Sequence, residues 1–410
     1  MTAIVFFTLL ILAFPVGYAL IIAGGAAVLI EGQVPASVVI LRLFQPTQSF
    51  PLLAIPFFIL AGALLMSGQL GHQLVSFASR LVGRYRGGLG QVNVVGATIF
   101  GGVSGSAVAD TSALGSIVIP WMKREGYPAP LAAAITASSS IIAILVPPSI
   151  PLILYASVSN TSIAQLFLAG VLPGLMLATG LMLACYLVGR ARDLPVIKVE
   201  GGAGGILRAS FTALPALGLP VLILVLLRFG VATPTEVSVM AVGYALVARA
   251  LLYRDITARS LVRDILATAI TTGVVMLVIT ASNLIGWILT VEGIPRLMAQ
   301  WALEVLQEPW LVILMMNLLM LVIGMFIALP AAILLLGPIF VAIAQAIGLD
   351  LVQLGLIMTM NLAIGLFTPP VGTTLFVASA IARVGIGSVV KAMWPFYLVS
   401  FVLLMLLSYV

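Results

Sequence analysis

The chain has 410 residues, of which 62% are hydrophobic and only 7% are charged, and its formal net charge is +6. A soluble domain carries about 25% charged residues, so this composition excludes a soluble enzyme and a nucleic-acid-binding protein. It predicts an all-α polytopic membrane protein that lies in a lipid bilayer. The single cysteine excludes an internal disulfide, and the single histidine excludes most histidine-based metal and catalytic sites.

Nine apolar runs are long enough to cross a membrane, since about 20 apolar residues span a hydrocarbon core of roughly 30 Å. The runs are 2–30, 48–66, 130–157, 162–191, 208–229, 234–253, 263–290, 351–382 and 388–410. The first run is longer than a signal-peptide core and lacks a basic start. It is therefore interpreted as a retained membrane span.

Two further apolar stretches, about 89–121 and 309–345, are interrupted near the middle by small or helix-breaking residues at 101–106 and 324–330. Most of the resulting halves are short for a crossing, which predicts two re-entrant helical hairpins. An amphipathic stretch precedes each hairpin, and both stretches are predicted to lie in the membrane interface.

The distribution of basic residues favours this topology. With nine crossings, two hairpins and a cytoplasmic N-terminus, 15 of the 18 Lys and Arg residues fall inside, and only Arg42, Arg228 and Arg296 fall outside. Treating either hairpin as a single crossing removes this positive-inside bias. The first hairpin is thus predicted to open to the cytoplasm, and the second hairpin and the C-terminus to face the opposite side.

The two hairpins belong to an internal repeat with an offset of 222 residues. Glycines or prolines coincide at five paired positions: 71 and 293, 102 and 324, 126 and 348, 147 and 369, and 148 and 370. The alternative is that Gly and Pro simply mark loops. The chain is therefore divided into a first repeat at 1–200, a linker and connecting span at 201–233, and a second repeat at 234–410. Five crossings separate the hairpins, so the repeats are predicted to be inverted, an arrangement typical of secondary transporters.

Tandem prolines interrupt one predicted span in each repeat. Proline has no N–H and its ring presses on the carbonyl four residues earlier, so Pro147–Pro148 and Pro369–Pro370 are predicted to leave four carbonyls without helical partners. Those carbonyls belong to Ala143, Ile144, Gly365 and Leu366. A cation could coordinate them, whereas the alternative is a kink satisfied by Ser or Thr side chains.

Asp110 is the one acid deep within a predicted membrane segment. Such an acid usually has a function, although it could also cap the helix that follows the hairpin tip. The Gly-Val-Ser-Gly sequence at 102–105 has the form of an intramembrane serine protease site, but His72 lies in the interfacial stretch, too far to act as the base. The chain is therefore predicted not to be an enzyme.

Several motifs resemble the large membrane subunit (M subunit) of the tripartite ATP-independent periplasmic (TRAP) transporters. They are Arg-Gly-Gly-Leu-Gly-Gln-Val-Asn at 86–93, Gly-Gly-Val-Ser-Gly-Ser-Ala-Val-Ala-Asp-Thr-Ser at 101–112, Val-Pro-Pro-Ser-Ile at 146–150, Pro-Thr-Glu at 234–236 and the segment 361–372. The resemblance covers essentially the whole chain.

This resemblance implies a sodium-coupled importer of a small organic anion (a carboxylate) in a bacterial-type inner membrane, working by an elevator-type movement. Its implied partners are a small four-helix membrane subunit and a periplasmic substrate-binding protein, with sodium as the coupling ion and no other cofactor. The implied sodium-binding residues are Ser104, Pro147, Gly324, Gly365, Thr368 and Val371. Ser106, Ser149 and Thr373 are the candidate substrate-binding residues.

The sequence departs from the family pattern at Ala328, where many members carry an acid in the second hairpin. This departure leaves the identity of the substrate open. The alternative function is a proton-coupled organic-anion carrier that works without a binding protein, with Asp110 as the proton site. A channel is the alternative from another class, although hairpins in inverted halves argue against an open pore.

Overall fold

The computed structural model describes residues 2–12, 14–31, 35–66, 70–196, 203–253 and 256–410. Within these ranges the chain forms α-helices, two short 3-10 helices and one π-helical turn, and it forms no β-strand. The all-α prediction is confirmed.

The first half begins with α1 (Thr2–Ile11), α2 (Val16–Glu31), α3 (Ala36–Phe44) and α4 (Ala54–Met66), with 3-10 turns at Gln45–Gln48 and Phe50–Leu53 between α3 and α4. It continues with α5 (Leu70–Val82), α6 (Gly88–Ser104), α7 (Ala107–Arg124), α8 (Ala129–Ser139), α9 (Ile142–Leu145), α10 (Ile150–Ser159) and α11 (Ile163–Ala191). Helices α6 and α7 form the first predicted hairpin, and α8 to α10 form the first proline-broken helix.

The second half begins with the connecting helix α12 (Ala203–Arg228), α13 (Pro234–Val247), which ends in a π turn (Ala248–Tyr253), and α14 (Ala258–Val291). It continues with α15 (Ile294–Leu306), α16 (Pro309–Gly324), α17 (Leu329–Ile347), α18 (Leu351–Gly365), α19 (Thr373–Ala382), α20 (Ile386–Ala392) and α21 (Trp394–Tyr409). Helices α16 and α17 form the second predicted hairpin, and α18 and α19 form the second broken helix.

Short polar side chains define where many of these helices begin. Six helices start at a residue whose side-chain oxygen accepts a hydrogen bond from a first-turn amide, which replaces a missing helical partner. These residues are Ser106, Ser149, Ser162, Thr233, Thr257 and Asp350. Local sequence therefore fixes the ends of the segments that matter for the candidate site.

The helix order of the first half recurs in the second. A helix from the predicted amphipathic stretch, a helix pair and a broken helix follow one another as α5 to α10 and again as α15 to α19. The second arms of the two pairs begin at Ala107 and Leu329, and the broken helices begin at Ala129 and Leu351, each 222 residues apart. The helix boundaries thus follow the offset that the glycine and proline matches indicated.

The N-terminal region differs from the prediction. The single span predicted at 2–30 is divided into α1 and α2, which pack against each other, because Pro15 has no amide hydrogen to continue a helix. Helix α3 lies in a stretch for which no helix was predicted. In the predicted linker, residues 203–205 already belong to α12, whereas 197–202 lie outside the described residues.

By length and composition, three described helices could each cross a membrane: α11, α14 and α17. The number rises to six if three bent helix pairs each count as one span, including α8–α9 with α10, which meet at 45°. The predicted count of nine crossings and the re-entrant path of the hairpins remain predictions. Helix α17 was assigned to a hairpin arm, although at 19 residues it is long enough to cross.

Candidate functional site

A cavity of about 420 Å³ lies where the interrupted segments of both halves meet. Its wall includes the tip of the first hairpin at 104–109 and the tip of the second at 328–330. Residues on both sides of the first proline break, and Leu366 and Thr373 from the second, also line it, and α4 and α14 supply the remaining wall. Glycine and proline interruptions more than 200 residues apart therefore form one site.

Four helices begin at this cavity. The lining contains the first residues of α7, α10, α17 and α19. Helix N-termini carry partial positive charge and unpaired amides, and together these favour a bound anion. The caps differ: Ser106 and Ser149 accept hydrogen bonds from first-turn amides at 3.4 Å, whereas Ala328 before α17 has no side-chain acceptor.

The first hairpin tip holds a buried acid. The Ser104 hydroxyl donates a short hydrogen bond to Oδ1 of Asp110 and accepts one from the Ser106 amide at 3.2 Å. Asp110 is fully buried, and its Oδ2 has no hydrogen-bond partner among the described residues. Asp110 itself does not line the cavity, although its neighbours Val108 and Ala109 do.

Close backbone contacts join this tip to the first proline break. Gly105 has a left-handed φ of +61°, and a Cβ at this position would overlap the Pro148 carbonyl. A Cβ on Gly102 would lie 3.6 Å from the Pro147 carbonyl oxygen. Ser104 and Pro147, predicted to share a sodium site, are therefore placed on facing segments.

The second hairpin tip contacts the second break in the same way. A Cβ on Gly365 would overlap the carbonyl group of Gly324, and the Val371 amide donates to the Met325 carbonyl at 3.2 Å. Thr368 follows Gly365 within one turn, and its hydroxyl donates to the Ile364 carbonyl at 2.7 Å. The structure thus brings together the four residues predicted for the second sodium site.

The carbonyls at the second break are not left unpaired, contrary to the sequence prediction. The Gly365 carbonyl accepts from the Thr368 amide at 3.1 Å, and the Leu366 carbonyl accepts from the amide and the hydroxyl of Thr374, each at 2.9 Å. The chain turns at the break, so nearby donors replace the helical ones. A carbonyl oxygen has two lone pairs, so these bonds still leave it able to coordinate a cation.

The first break is closed by Ser149. Its hydroxyl donates a short hydrogen bond to the Ile144 carbonyl, which was predicted to be unpaired. Ser149 is fully buried, caps α10 and is absent from the cavity wall, so the structure places it at the break and not at the cavity. Both X-Pro bonds, Pro147–Pro148 and Pro369–Pro370, are cis.

Of the other two residues predicted to bind substrate, Ser106 and Thr373 both line the cavity. The Thr373 hydroxyl is buried and has no hydrogen-bond partner among the described residues. Ser106 accepts from the Ala109 amide and keeps its own proton available. The cavity therefore has two hydroxyl donors, one from each half of the chain.

Buried amides, which sequence reasoning missed, attach each hairpin to the neighbouring broken helix. In the first half, Asn93 of α6 donates to Thr136 of α8 at 2.5 Å. In the second half, Asn361 of α18 donates to the side chain of Asn317 on α16 at 2.8 Å, and Asn317 donates to Ser408 at 2.9 Å. An amide in the middle of an apolar segment needs such a partner, and that rule could have identified these residues.

A larger cavity of about 990 Å³ lies apart from the hairpin tips. It is lined by parts of α5, α7 and the end of α19 and includes Lys123, Arg124 and Arg383. None of the segments that interrupt the helices contributes to it. The smaller cavity is therefore the better candidate for the functional site.

Comparison with known proteins identifies related sequences over nearly the whole chain. Residues 3–410 match the family described as "Tripartite ATP-independent periplasmic transporter, DctM component". An uncharacterized protein of Sinorhizobium fredii, y4mL, is 49% identical over 99% of this chain and 97% of its own length. The C4-dicarboxylate TRAP transporter large permease protein DctM of Pseudomonas aeruginosa is 38% identical over 90% of this chain and 86% of its own length.

A solved structure shares the fold. The YdaH transporter of Alcanivorax borkumensis, whose crystal structure is described as having an unusual topology, superposes with a TM-score of 0.60. The match covers 88% of this chain and 84% of that chain at 15% sequence identity. At this identity the similarity concerns the arrangement of helices alone.

Proposed function

Because the chain belongs to the DctM family, the large permease subunits of tripartite ATP-independent periplasmic transporters, we propose that it couples the import of a small organic anion to sodium. Proteins of this family are subunits of secondary transporters for organic acids and are not enzymes. They work in the bacterial inner membrane with a small membrane subunit and a periplasmic binding protein. In the proposed complex, that binding protein delivers the anion to this chain and a four-helix small subunit.

One observation carries the proposal: both hairpin tips and both proline breaks surround one cavity at which four helices begin. Helix N-termini can hold an anion without a basic side chain. Beside the cavity, carbonyl and hydroxyl oxygens concentrate where Gly324 meets Gly365 and Thr368. Oxygen ligands suit a hard cation, so anion and sodium would bind close together and support each other electrostatically.

The proposed topology places two inverted repeats in the membrane, with a cytoplasmic N-terminus and a periplasmic C-terminus. Contacts between helix ends that are far apart in the sequence support it. Lys123 donates to the Ala382 carbonyl at 2.9 Å, and both lie at ends predicted to face the cytoplasm. The Arg42 guanidinium lies 5.1 Å from the ring centre of Trp287, and both are predicted near the opposite face.

The proposed transport movement is an elevator-type displacement of the hairpins and broken helices against a scaffold. The contacts of α7 with α8 and α19, and of α16 with α18, make the hairpins and broken helices a connected group. Helix α4 contacts both α13 and α14, and α4 and α14 line the other side of the cavity. A site between two such groups can be exposed alternately when one group slides past the other.

Proton coupling is the second candidate, favoured by the single unpartnered oxygen of the buried Asp110. An ionised acid in hydrocarbon is costly, so a proton that binds and leaves there could drive transport. In this alternative, no binding protein is required. The two candidates predict different driving ions for the same cavity.

The test is uptake of radiolabelled organic acids into proteoliposomes that contain this chain and its small subunit, with the binding protein outside. Uptake that requires a sodium gradient and the binding protein is expected. Thr368→Val should then raise the sodium concentration needed for half-maximal uptake. Thr290→Val is the matched control, because the hydroxyl of Thr290 makes the same type of helical bond, at 2.7 Å to the Gly286 carbonyl.

Uptake that follows a proton gradient without sodium, and is lost in Asp110→Asn, would replace the sodium proposal with the proton-coupled one. Downhill flux that does not saturate with substrate would exclude both and indicate a channel.

A further inference from the structure

The cavity at the hairpin tips is mostly apolar, and this property narrows the substrate class. Five of its lining residues carry a hydroxyl group, and no described lining residue is charged. Most of the remaining wall is aliphatic, with Met66, Ile59 and Val275 on the α4 and α14 side and Leu329 and Pro330 on the second tip. A ligand that fills this space must place most of its own surface against hydrocarbon.

Most of the hydroxyl protons in the wall are already used. Ser104 donates to Asp110, Thr268 donates to the Asp264 carbonyl at 2.8 Å, and Thr271 donates to the Ala267 carbonyl at 2.9 Å. These three hydroxyls cannot donate to an anion without breaking an existing bond. Only Ser106 and Thr373 keep donors available.

Some of the amides at the helix N-termini are missing or already bonded. Pro151 and Pro330 occupy second positions of α10 and α17, where they contribute no N–H. Ser106 already accepts from one amide of α7, and Thr374 of α19 donates its amide to Leu366. The amides that remain lie at the helix starts, where together with the two hydroxyls they can hold a carboxylate group. The aliphatic part of the wall offers no donor to a second charged end and no partner to several ligand hydroxyls.

We propose that this cavity selects monocarboxylates with an apolar body, such as short-chain or branched aliphatic acids, over dicarboxylates and polyhydroxylated sugar acids. This inference rests on the proposed function, because it names the substrate class of the same site. The carboxylate lies between Ser106 and Thr373, and the apolar body lies against the second tip, α4 and α14.

Physical chemistry sets the size of the expected preference. Each methylene buried in an apolar wall strengthens binding by about fourfold. Each ligand hydroxyl buried without a partner weakens binding by about 5- to 150-fold. A second carboxylate in the same wall is penalised more strongly still, because it would be an unpaired charge.

The experiment measures binding by calorimetry to the complex of this chain with its small subunit in lipid nanodiscs, without the binding protein, whose own selectivity would interfere. The probes are propanoate, butanoate, pentanoate, hexanoate, succinate and gluconate, each with and without sodium. The dissociation constant is expected to fall about fourfold per added methylene until the cavity is full. Succinate and gluconate are expected to bind more weakly than pentanoate.

Two neighbouring valines provide a matched pair of variants that separates cavity binding from partition into lipid. Val275 lines the cavity, whereas Val274 on the same helix is 60% exposed and does not line it. Val275→Thr replaces a methyl by a hydroxyl and should reduce the gain per methylene. Val274→Thr should leave that gain unchanged, and nanodiscs without protein give the background.

The outcomes are distinguishable. Sodium-dependent binding of succinate or gluconate that is tighter than that of pentanoate would overturn the inferred substrate class and leave sodium coupling intact. Pentanoate binding that ignores sodium would support the substrate class and contradict sodium coupling. The absence of binding for every probe would contradict both, and equal effects of the two valine variants would overturn the assignment to this cavity.

Discussion

The contact between Gly324 and Gly365 makes a direct test of the second sodium site possible. An alanine at 365 would place its Cβ 2.9 Å from the Gly324 Cα and in overlap with the Gly324 carbonyl. Both partners are backbone, so neither can rotate away as a side chain could. Gly365→Ala must therefore push the hairpin tip away from the break and separate the oxygens of the proposed site.

The magnitude follows from the cost of overpacking, which is typically about 1–3 kcal/mol in a well-packed interior. If this cost falls on the sodium-bound state, the sodium concentration for half-maximal uptake rises by about 5- to 150-fold. Gly324→Ala should have a smaller effect, because its Cβ would lie 3.2 Å from a methyl group of Leu362, which can shift. The two variants therefore form a graded series.

Gly273→Ala is the matched control. Gly273 lies within α14, and a Cβ there meets nothing within 4 Å, so the substitution should stabilise the helix by roughly 0.5–1 kcal/mol. The assay is sodium-dependent uptake in proteoliposomes, with thermal unfolding of each purified variant to verify folding. If folded Gly365→Ala keeps the sodium dependence of the unmodified protein, the oxygens at this contact do not bind the coupling ion.

Three further predictions concern stability and the cavity. Arg249→Leu should lower the free energy of unfolding by at most about 3–5 kcal/mol, because the buried Asp264 loses its 2.9 Å ion pair and keeps the more exposed Arg263 at 3.5 Å; the double variant with Asp264→Leu should regain much of the loss in thermal unfolding. Ser149→Ala should cost about 0.5–2 kcal/mol of stability through the lost cap with unchanged substrate affinity, whereas Thr373→Val should weaken substrate binding measured by calorimetry with unchanged melting. Ala328→Asp should cap α17 and repel the anion, so substrate affinity should fall while the melting temperature rises or stays; tighter binding would contradict an anion site at this N-terminus.

Local interruptions of the helices were predictable from the sequence because their physics is local. Proline removes a donor at its own position, and the breaks at 147–148 and 369–370 appear where they were predicted. The hairpin turn at 105–106 likewise follows from Gly105, which adopts a left-handed conformation. At these positions one or two residues determine the backbone and the sequence was sufficient, whereas the break at Pro15 was missed because it lies inside a long apolar run.

Features that depend on tertiary packing were not predictable. At the breaks the sequence left two possibilities open, a bound cation or a kink satisfied by Ser or Thr, and Ser149 and Thr374 do bond to the carbonyls. Because its hydroxyl points back to the Ile144 carbonyl, Ser149 caps α10 and does not line the cavity. The sequence does not determine which way a hydroxyl beside a break will point. Thr268 and Thr271 of α14 line the cavity from more than 100 residues beyond the first hairpin, a distance that no local pattern bridges.

The two halves share the same order of helices, but their polar residues lie at different positions. The polar residues Ser104, Ser106 and Asp110 of the first tip correspond, 222 residues later, to Phe326, Ala328 and Ala332.

At the breaks the pattern is reversed, because Val146 and Pro151 of the first half correspond to Thr368 and Thr373 of the second. Among the tip and break residues that line the cavity, hydroxyl groups belong to the first tip, at Ser104 and Ser106, and to the second break, at Thr373. A carboxylate held between them would draw donors from both repeats, and its apolar body would face the second tip. Binding would then require a conformation in which the first tip and the second break both reach the carboxylate. A substrate that binds this conformation better than others would stabilise it before transport.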